Sequence, residues 1–216
     1  MVKCALVYWG LTRSTKRIYL THKKFLHDEL DKLNIEYDVF FHSWKLEDNE
    51  KQCIWNNKCD VEIDYEEYKY LKPDKYELNY KIERQKDFSD TIIIDKYHLC
   101  GKWKYYFVNH LCACESLKRS FKMIPKNEYK YVIFLRPDQK ICRTIDFESI
   151  FSYLDNNIKG ICLPKNHSFL GYCDRFCVMN YCDANIYANR IDEFHLYKPI
   201  KGKNGLTSEM IIQILV

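Results

Sequence analysis

Residues 130–140, KYVIFLRPDQK, are the stretch from which both the fold and the candidate site are predicted. Residues 131–135 form a short aromatic and β-branched run that Pro137 closes, a pattern typical of an interior strand. Arg136 and Asp138 follow at the carboxyl end of this strand. Because open α/β sheets bind their ligands outside the carboxyl ends of their strands, we expect both side chains to face a ligand.

The composition is that of a soluble globular protein, with 47% hydrophobic and 30% charged residues. A chain of 216 residues is long enough for one large core, and we predict a single domain over residues 1–216. The formal net charge of +4 comes from 34 basic and 30 acidic side chains that are mixed along the chain. This balance suits a small phosphate-bearing ligand and does not indicate nucleic-acid binding.

The cysteines indicate a reducing compartment. Their number, 11, is odd, and most stand in apolar runs such as CALVYW and GICLP, without the paired C-x-x-C spacing of zinc ribbons. We therefore expect reduced core thiols and no structural metal bound by them. The sequence shows no signal peptide at Met1 and no apolar run of about 18 residues, which predicts a cytoplasmic protein without a membrane span.

The N-terminal region predicts a strand, a helix and a second strand. KCALVYWG ends at Gly10, a helical stripe of apolar residues runs from about Lys16 to Leu33, and IEYDVFFHSW at 35–44 alternates as a strand does. Residues 45–90 are rich in polar side chains and lack sustained periodicity. We interpret them as a polar insertion with short helical pieces that buries little surface.

The rest of the chain continues the alternation of strands and helices. The predicted elements are a short strand or turn at 90–95, a helix over 101–121, the strand 131–135, a helix capped by Asp146, a strand over 158–164, a helix from about Arg175 to Arg190 and, within 205–216, a closing helix that Thr207 or Ser208 caps and that stops at Val216. Such alternation predicts an α/β fold with a mostly parallel sheet. The apolar end at Val216 leads us to expect a domain of a longer protein.

Arg136 and Asp138 allow two interpretations at this level. A carboxylate is a hard oxygen ligand that suits Mg²⁺ or Mn²⁺, and such ions bind through one or two carboxylates together with substrate phosphates. In that case Asp138 would hold a metal on a diphosphate and Arg136 would contact the same charge. The alternative is a salt bridge that closes the end of the strand.

The sequence resembles the nucleotide-sugar glycosyltransferases of the GT-A fold. In that family an apolar strand ends in a metal-binding DxD motif, at the place that YKYVIFLRPDQKI, residues 129–141, occupies here. The resemblance is closer to a subgroup from bacteria and large DNA viruses in which the motif is R-x-D, as in Arg136 and Asp138. That subgroup also has an ALVYWGLTR strand, a G-x-x-D-R-F segment and an S-E helix, which match residues 5–13, 171–176 and Ser208-Glu209. The match covers most of the chain except residues 45–90.

The resemblance implies a GT-A-like (Rossmann-like) α/β fold, with a mostly parallel central sheet flanked by helices, and a set of site residues. The implied donor-binding residues are Tyr8, Gly10, Leu11, Thr12, Arg13, Arg136, Asp138 and Arg175. Transfer to a hydroxyl needs a base that removes its proton, and the two candidates are Asp174 and Glu209. Each also has a structural interpretation, as a residue that caps a helix or lies in its first turn.

The resemblance predicts a glycosyltransferase that moves a sugar from a UDP- or GDP-sugar to a glycan or glycoprotein acceptor. Because Arg136 replaces the first aspartate of DxD, the site either binds Mn²⁺ or Mg²⁺ through Asp138 alone, which we prefer, or works without a metal. The alternative function is a catalytically inactive nucleotide-sugar-binding module of a larger protein. A nucleotidyltransferase is disfavoured, since WGLTRSTKR contains one glycine where those enzymes have a glycine-rich loop. For a viral protein, the expected location is the host cytoplasm.

Overall fold

A six-stranded sheet forms the centre of the protein. The computed structural model describes residues 2–46, 52–54, 57–61, 63–81, 88, 101–126, 128–157, 159–165 and 173–196. The strands, in chain order, are β1 (Lys3–Trp9), β2 (Glu36–Lys45), β3 (Gln52–Ile54), β4 (Asn57–Val61), β5 (Lys75–Tyr80), β6 (Tyr131–Leu135), β7 (Ile161–Cys162) and β8 (Phe176–Asn180). β3 and β4 form a separate antiparallel hairpin.

The order of strands in the large sheet is β5-β2-β1-β6-β8-β7. The first four of these strands are parallel to one another, and β8 runs antiparallel to both β6 and β7. The sheet is thus mostly parallel, as predicted. β6, which carries the motif of the opening stretch, is buried at all five positions and pairs with β1 so that Leu135 lies opposite Tyr8.

Helices cover both faces of the sheet. They are α1 (Thr15–His22), a π-helical turn (Lys23–His27), α2 (Asp28–Lys32), α3 (Gly101–Lys122), α4 (Phe147–Asn156) and α5 (Tyr181–Ala188), with 3₁₀ helices at Tyr65–Leu71 and Arg190–Leu196. Among the described residues, no helix is both long enough and apolar enough to cross a membrane.

The core has two halves, one on each face of the sheet, and alternate side chains of β1 contribute to each half. Ala5, Val7 and Trp9 pack with side chains of α3 and α5, whereas the alternate residues Cys4, Leu6 and Tyr8 pack with the α1–α2 region, α4 and the first 3₁₀ helix. Because successive side chains of a strand point to opposite faces, a continuously apolar strand is buried between two layers of helices. The described chain is therefore a single α/β domain.

Several predicted elements are confirmed. The helix predicted from Lys16 to Leu33 is found as the continuous helical run from Thr15 to Lys32, and α4 begins after Asp146, whose side chain accepts a hydrogen bond from the Ser149 amide at 3.0 Å. The predicted elements at 90–95 and 205–216 lie outside the described residues.

Three predictions differ from the structure. The helix predicted from Arg175 begins at Tyr181, because residues 176–180 form β8 and pair with β6. Of the strand predicted over 158–164, the described residues 159–164 form a strand at Ile161–Cys162. Within the segment 45–90, Lys75–Tyr80 extends the sheet as β5 and the 3₁₀ helix buries Tyr68 and Leu71, so this segment contributes to the core more than its polar composition indicates.

Candidate functional site

The candidate site lies where the carboxyl ends of β1 and β6 meet. The connection after β1 runs through α1 and α2 on one face, and the helix before β6, α3, lies on the other face. The strand order therefore changes direction between β1 and β6. Open α/β sheets generally bind their ligands in the crevice between the loops at such a switch point.

The loop after β1 is held close to its neighbours by backbone contacts. Gly10 has φ of 93°, a left-handed conformation that glycine adopts without steric cost. Its amide donates to His42 O at 3.1 Å and to Ser116 Oγ at 3.0 Å, which connects the loop to β2 and α3. Across the crevice, Thr15 Oγ1 donates to Pro137 O at 3.2 Å and joins the start of α1 to the turn after β6.

Two arginines converge on one carboxylate at this crevice, and we refer to Arg13, Arg136 and Asp138 as the arginine–aspartate cluster. Arg136 donates from Nε to Oδ1 of Asp138 at 3.1 Å and from Nη2 to Oδ2 at 2.9 Å. Arg13 donates to the same Oδ2 from Nε at 3.1 Å and also from Nη2. The sequence placed these residues at one edge of the sheet but contained no signal for the direct contact across 125 positions.

The electrostatics of the cluster favour an ionised Asp138. Burial of the carboxyl group raises its pKa, but the charges of Arg136 and Arg13 and their hydrogen bonds outweigh this effect and hold the pKa at about 2. The side chain of Asp138 is 13% exposed, against 25% for Arg13 and 23% for Arg136. A ligand in the crevice therefore meets mainly the two guanidinium groups.

Arg136 of the cluster also contacts an aromatic ring and the backbone that precedes β8. The Arg136 guanidinium lies 5.8 Å from the centre of the buried Trp9 ring, and Arg190 lies 5.5 Å from the same ring. The Arg136 amide donates to Arg175 O at 3.0 Å, so the start of β8 is directly beside the end of β6. Trp9 and Arg190 were not predicted as site residues, and the local signal for Trp9 is a tryptophan at the end of the first strand.

The other predicted donor-binding side chains of this loop are those of Tyr8, Leu11 and Thr12, and they pack against other parts of the protein. Tyr8 is fully buried in the core, where its hydroxyl lies 3.3 Å from His22 Nδ1 and 3.4 Å from His27 Nε2. Thr12 is also buried and donates from Oγ1 to Asp64 O at 3.2 Å, while Leu11 packs against an apolar cluster that includes Trp44. Of this loop, Arg13 carries the side-chain chemistry at the crevice.

The predicted base residues have different placements. Asp174 is buried beside the crevice, with its Oδ1 3.9 Å from Nε of Arg175 and its side chain 7% exposed. Tyr187 donates to the backbone oxygen of Asp174 at 3.5 Å. Glu209 lies outside the described residues, as does the glycine at 171.

The cluster does not fit a resident divalent metal. Guanidinium groups cannot ligate a cation, and both oxygens of Asp138 already accept hydrogen bonds from Arg13 and Arg136. Within the part of the chain that the structure describes, no group of three or more His, Cys, Asp or Glu side chains could hold a metal ion. The donor set at Asp138 is that of an anion site.

No protein-family model matches the chain, and no curated protein matches it. Solved structures with a similar arrangement include apo mouse xyloside xylosyltransferase 1, at 10% sequence identity and a TM-score of 0.42, over 99% of this chain and 80% of that one. A similarity of this size does not assign a function to this chain.

Proposed function

We propose that the protein is a glycosyltransferase that moves a sugar from a nucleoside diphosphate sugar to a hydroxyl group of an acceptor glycan or glycoprotein. The observation that carries this proposal is the arginine–aspartate cluster at the switch point between β1 and β6. The cluster joins the loop after β1 to the loop after β6, and the resemblance implies donor binding for both loops. Guanidinium groups suit phosphate because their N–H donors match its oxygens in pairs.

The proposed reaction needs two kinds of group, one that stabilises the leaving diphosphate and one that takes the proton of the acceptor hydroxyl. As the bond between the sugar and the diphosphate breaks, negative charge develops on the leaving diphosphate, and Arg13 and Arg136 stabilise it there. The acceptor hydroxyl loses a proton to a carboxylate, for which Asp174 and Glu209 are our candidates. The Mn²⁺ or Mg²⁺ ion that the resemblance implies takes no step in this proposal, because the donors around Asp138 do not fit it.

Donor binding is expected to raise the melting temperature of the protein. A ligand at about one hundred times its dissociation constant stabilises the native state by about 2.7 kcal/mol, and this corresponds to a rise of roughly 5–10 °C in a domain of this size. A thermal-shift series with UDP- and GDP-sugars checks this expectation. The free sugars serve as controls, and a panel in which no nucleotide sugar shifts the melting temperature would contradict the proposed function.

Turnover of a nucleotide sugar distinguishes an enzyme from an inactive binding module. The substitution Asp174→Asn tests whether Asp174 is the base that takes the proton of the acceptor. If Asp174 takes the proton, this substitution lowers the rate of sugar transfer by about a hundredfold or more while donor affinity stays unchanged. The matched control is Asp192→Asn, since the side chain of Asp192 is 53% exposed on the second 3₁₀ helix. Full transfer by a correctly folded Asp174→Asn variant would remove Asp174 from this role and leave Glu209. Donor binding without any turnover in the parent protein would identify the inactive module.

A further inference from the structure

Both oxygens of Asp138 already accept hydrogen bonds from arginine. A carboxylate offers about four lone-pair sites, and Asp138 accepts four hydrogen bonds, two from Arg136 and two from Arg13. Oδ2 accepts three of these bonds and Oδ1 accepts one, so a metal ion could approach only Oδ1, beside the Arg136 Nε that already donates to it. A divalent cation there would lie close to two positive side chains, so the arrangement opposes metal binding.

The charge and exposure of the cluster favour an anion instead. Two guanidinium groups and one carboxylate leave one net positive charge on the cluster itself, and the arginines are about twice as exposed as the aspartate. A diphosphate carries several negative charges and oxygens spaced for paired N–H donors. The accessible part of the cluster therefore has the sign of charge that a diphosphate needs.

Asp138 also holds the two positively charged guanidinium groups side by side. Without a shared anion, Arg13 and Arg136 would repel each other and each would sample many side-chain conformations. Asp138 fixes both guanidinium groups before a ligand arrives, while Trp9 supports Arg136 and the Thr15–Pro137 hydrogen bond fixes the turn. Groups that are ordered in advance lose less conformational entropy on binding.

We propose that the arginine–aspartate cluster is a metal-independent receptor for the diphosphate of the donor, in which Arg13 and Arg136 contact the phosphates and Asp138 is a positioning residue. This inference rests on the proposed function, since the diphosphate is that of the nucleotide sugar. Asp138 has no role as a metal ligand in this arrangement.

The test uses inorganic pyrophosphate and Mn²⁺ as separate probes on the whole chain. Isothermal titration calorimetry in EDTA is expected to show pyrophosphate binding, weakened about tenfold or more by either Arg13→Met or Arg136→Met. Mn²⁺ alone, followed by the paramagnetic resonance signal of the free ion, is expected to bind no more to the parent protein than to Asp138→Asn. Circular dichroism and melting temperatures establish that each variant is folded.

The substitutions of Asp138 separate positioning from metal binding. Asp138→Ala removes every acceptor and is expected to weaken pyrophosphate binding about tenfold, whereas Asp138→Asn keeps one acceptor oxygen and stays within about threefold of the parent protein. In the asparagine variant, the loss of order is offset by the loss of repulsion between the carboxylate and the anion. The matched control is Asp155→Asn, which removes a carboxylate paired with Lys130 next to the opposite end of β6.

Three results would overturn the inference: pyrophosphate binding that requires Mn²⁺, Mn²⁺ binding that Asp138→Asn abolishes, or no pyrophosphate binding in EDTA. Failure of the proposed function gives a different pattern. If pyrophosphate binds through the arginines but no nucleotide sugar is bound or consumed, the receptor stands and the glycosyltransferase proposal fails. If sugar transfer occurs only with Mn²⁺ and is lost in Asp138→Asn, the glycosyltransferase proposal stands and the metal-independent receptor fails.

Discussion

His42 and His27 together are expected to lower the free energy of unfolding by about 5 kcal/mol between about pH 7 and about pH 4.5, because both must stay neutral in the folded protein. Burial and, to a smaller extent, the positive charge of Arg119 lower the pKa of His42 to about 3 against the opposing hydrogen bond to Asn79. Burial and the neighbouring His22 lower the pKa of His27 to about 4.

The sign of the effect follows from the order in which the two states take up protons. Above the ordinary histidine pKa of about 6.5, both the folded and the unfolded chain are neutral at these positions. As the pH falls, the unfolded chain is protonated first, and each of the two histidines contributes about 2.5 kcal/mol of lost stability by about pH 4.5. His22, whose pKa burial also lowers, acts in the same direction. His110 acts in the opposite direction, because Cys114 raises its pKa against the effect of burial. The Asp138 pKa of about 2 places its contribution at lower pH, outside this window.

Urea unfolding at a series of pH values checks this prediction. His42→Gln is expected to reduce the pH slope by about 1.4 kcal/mol per pH unit, the value for one proton, between about pH 6 and about pH 4. Glutamine keeps polar atoms near Ser116 and Asn79, which lie 2.8 and 2.9 Å from the ring nitrogens of His42. Parallel curves for the parent protein and the variant would show that His42 does not cause the acid sensitivity.

Phe134→Ala is expected to destabilise the protein by about 3–5 kcal/mol, since removal of a large core side chain loses its transfer free energy and leaves a cavity. Phe134 is fully buried in the central strand β6, and its ring centre lies 5.1 Å from that of Tyr187 and 6.0 Å from that of Phe121. Its position precedes Arg136 by two residues, so the same cavity loosens the strand that carries the candidate site.

Calorimetry measures this effect as a fall in melting temperature on the order of 10 °C for a domain of this size. The matched control is Leu20→Ala on α1, because Leu20 is 74% exposed and its truncation is expected to change stability by less than about 0.5 kcal/mol. Equal effects of the two substitutions would contradict the packing described for β6.

The candidate site could be predicted in position but not in detail. An apolar strand that ends in charged residues locates them at the edge of a sheet, and this local pattern brought Arg136, Asp138 and Arg13 to the same edge. The pattern has no information about distances between side chains. That both arginines share one carboxylate, and that Asp174 is buried, depends on contacts between segments far apart in the chain.

The errors in the fold have the same origin. FCVMN at 176–180 is a short apolar run that fits a buried strand or the start of a helix equally well, and pairing with β6 selects the strand. KYELNY at 75–80 is polar enough to resemble a loop, yet it becomes the edge strand β5, where one side of the strand needs no partner and polar side chains face solvent.

The sequence by itself determined the alternation of strands and helices, the two-sided burial of β1 and β6, and the edge at which the charged residues collect. These properties follow from the order of apolar and polar side chains over a few neighbouring positions, where the physics is local. Only the tertiary structure decided that Asp138 is held by two arginines. Hydrogen bonds between side chains 125 positions apart form when the sheet brings their strands together, and no local pattern encodes that approach.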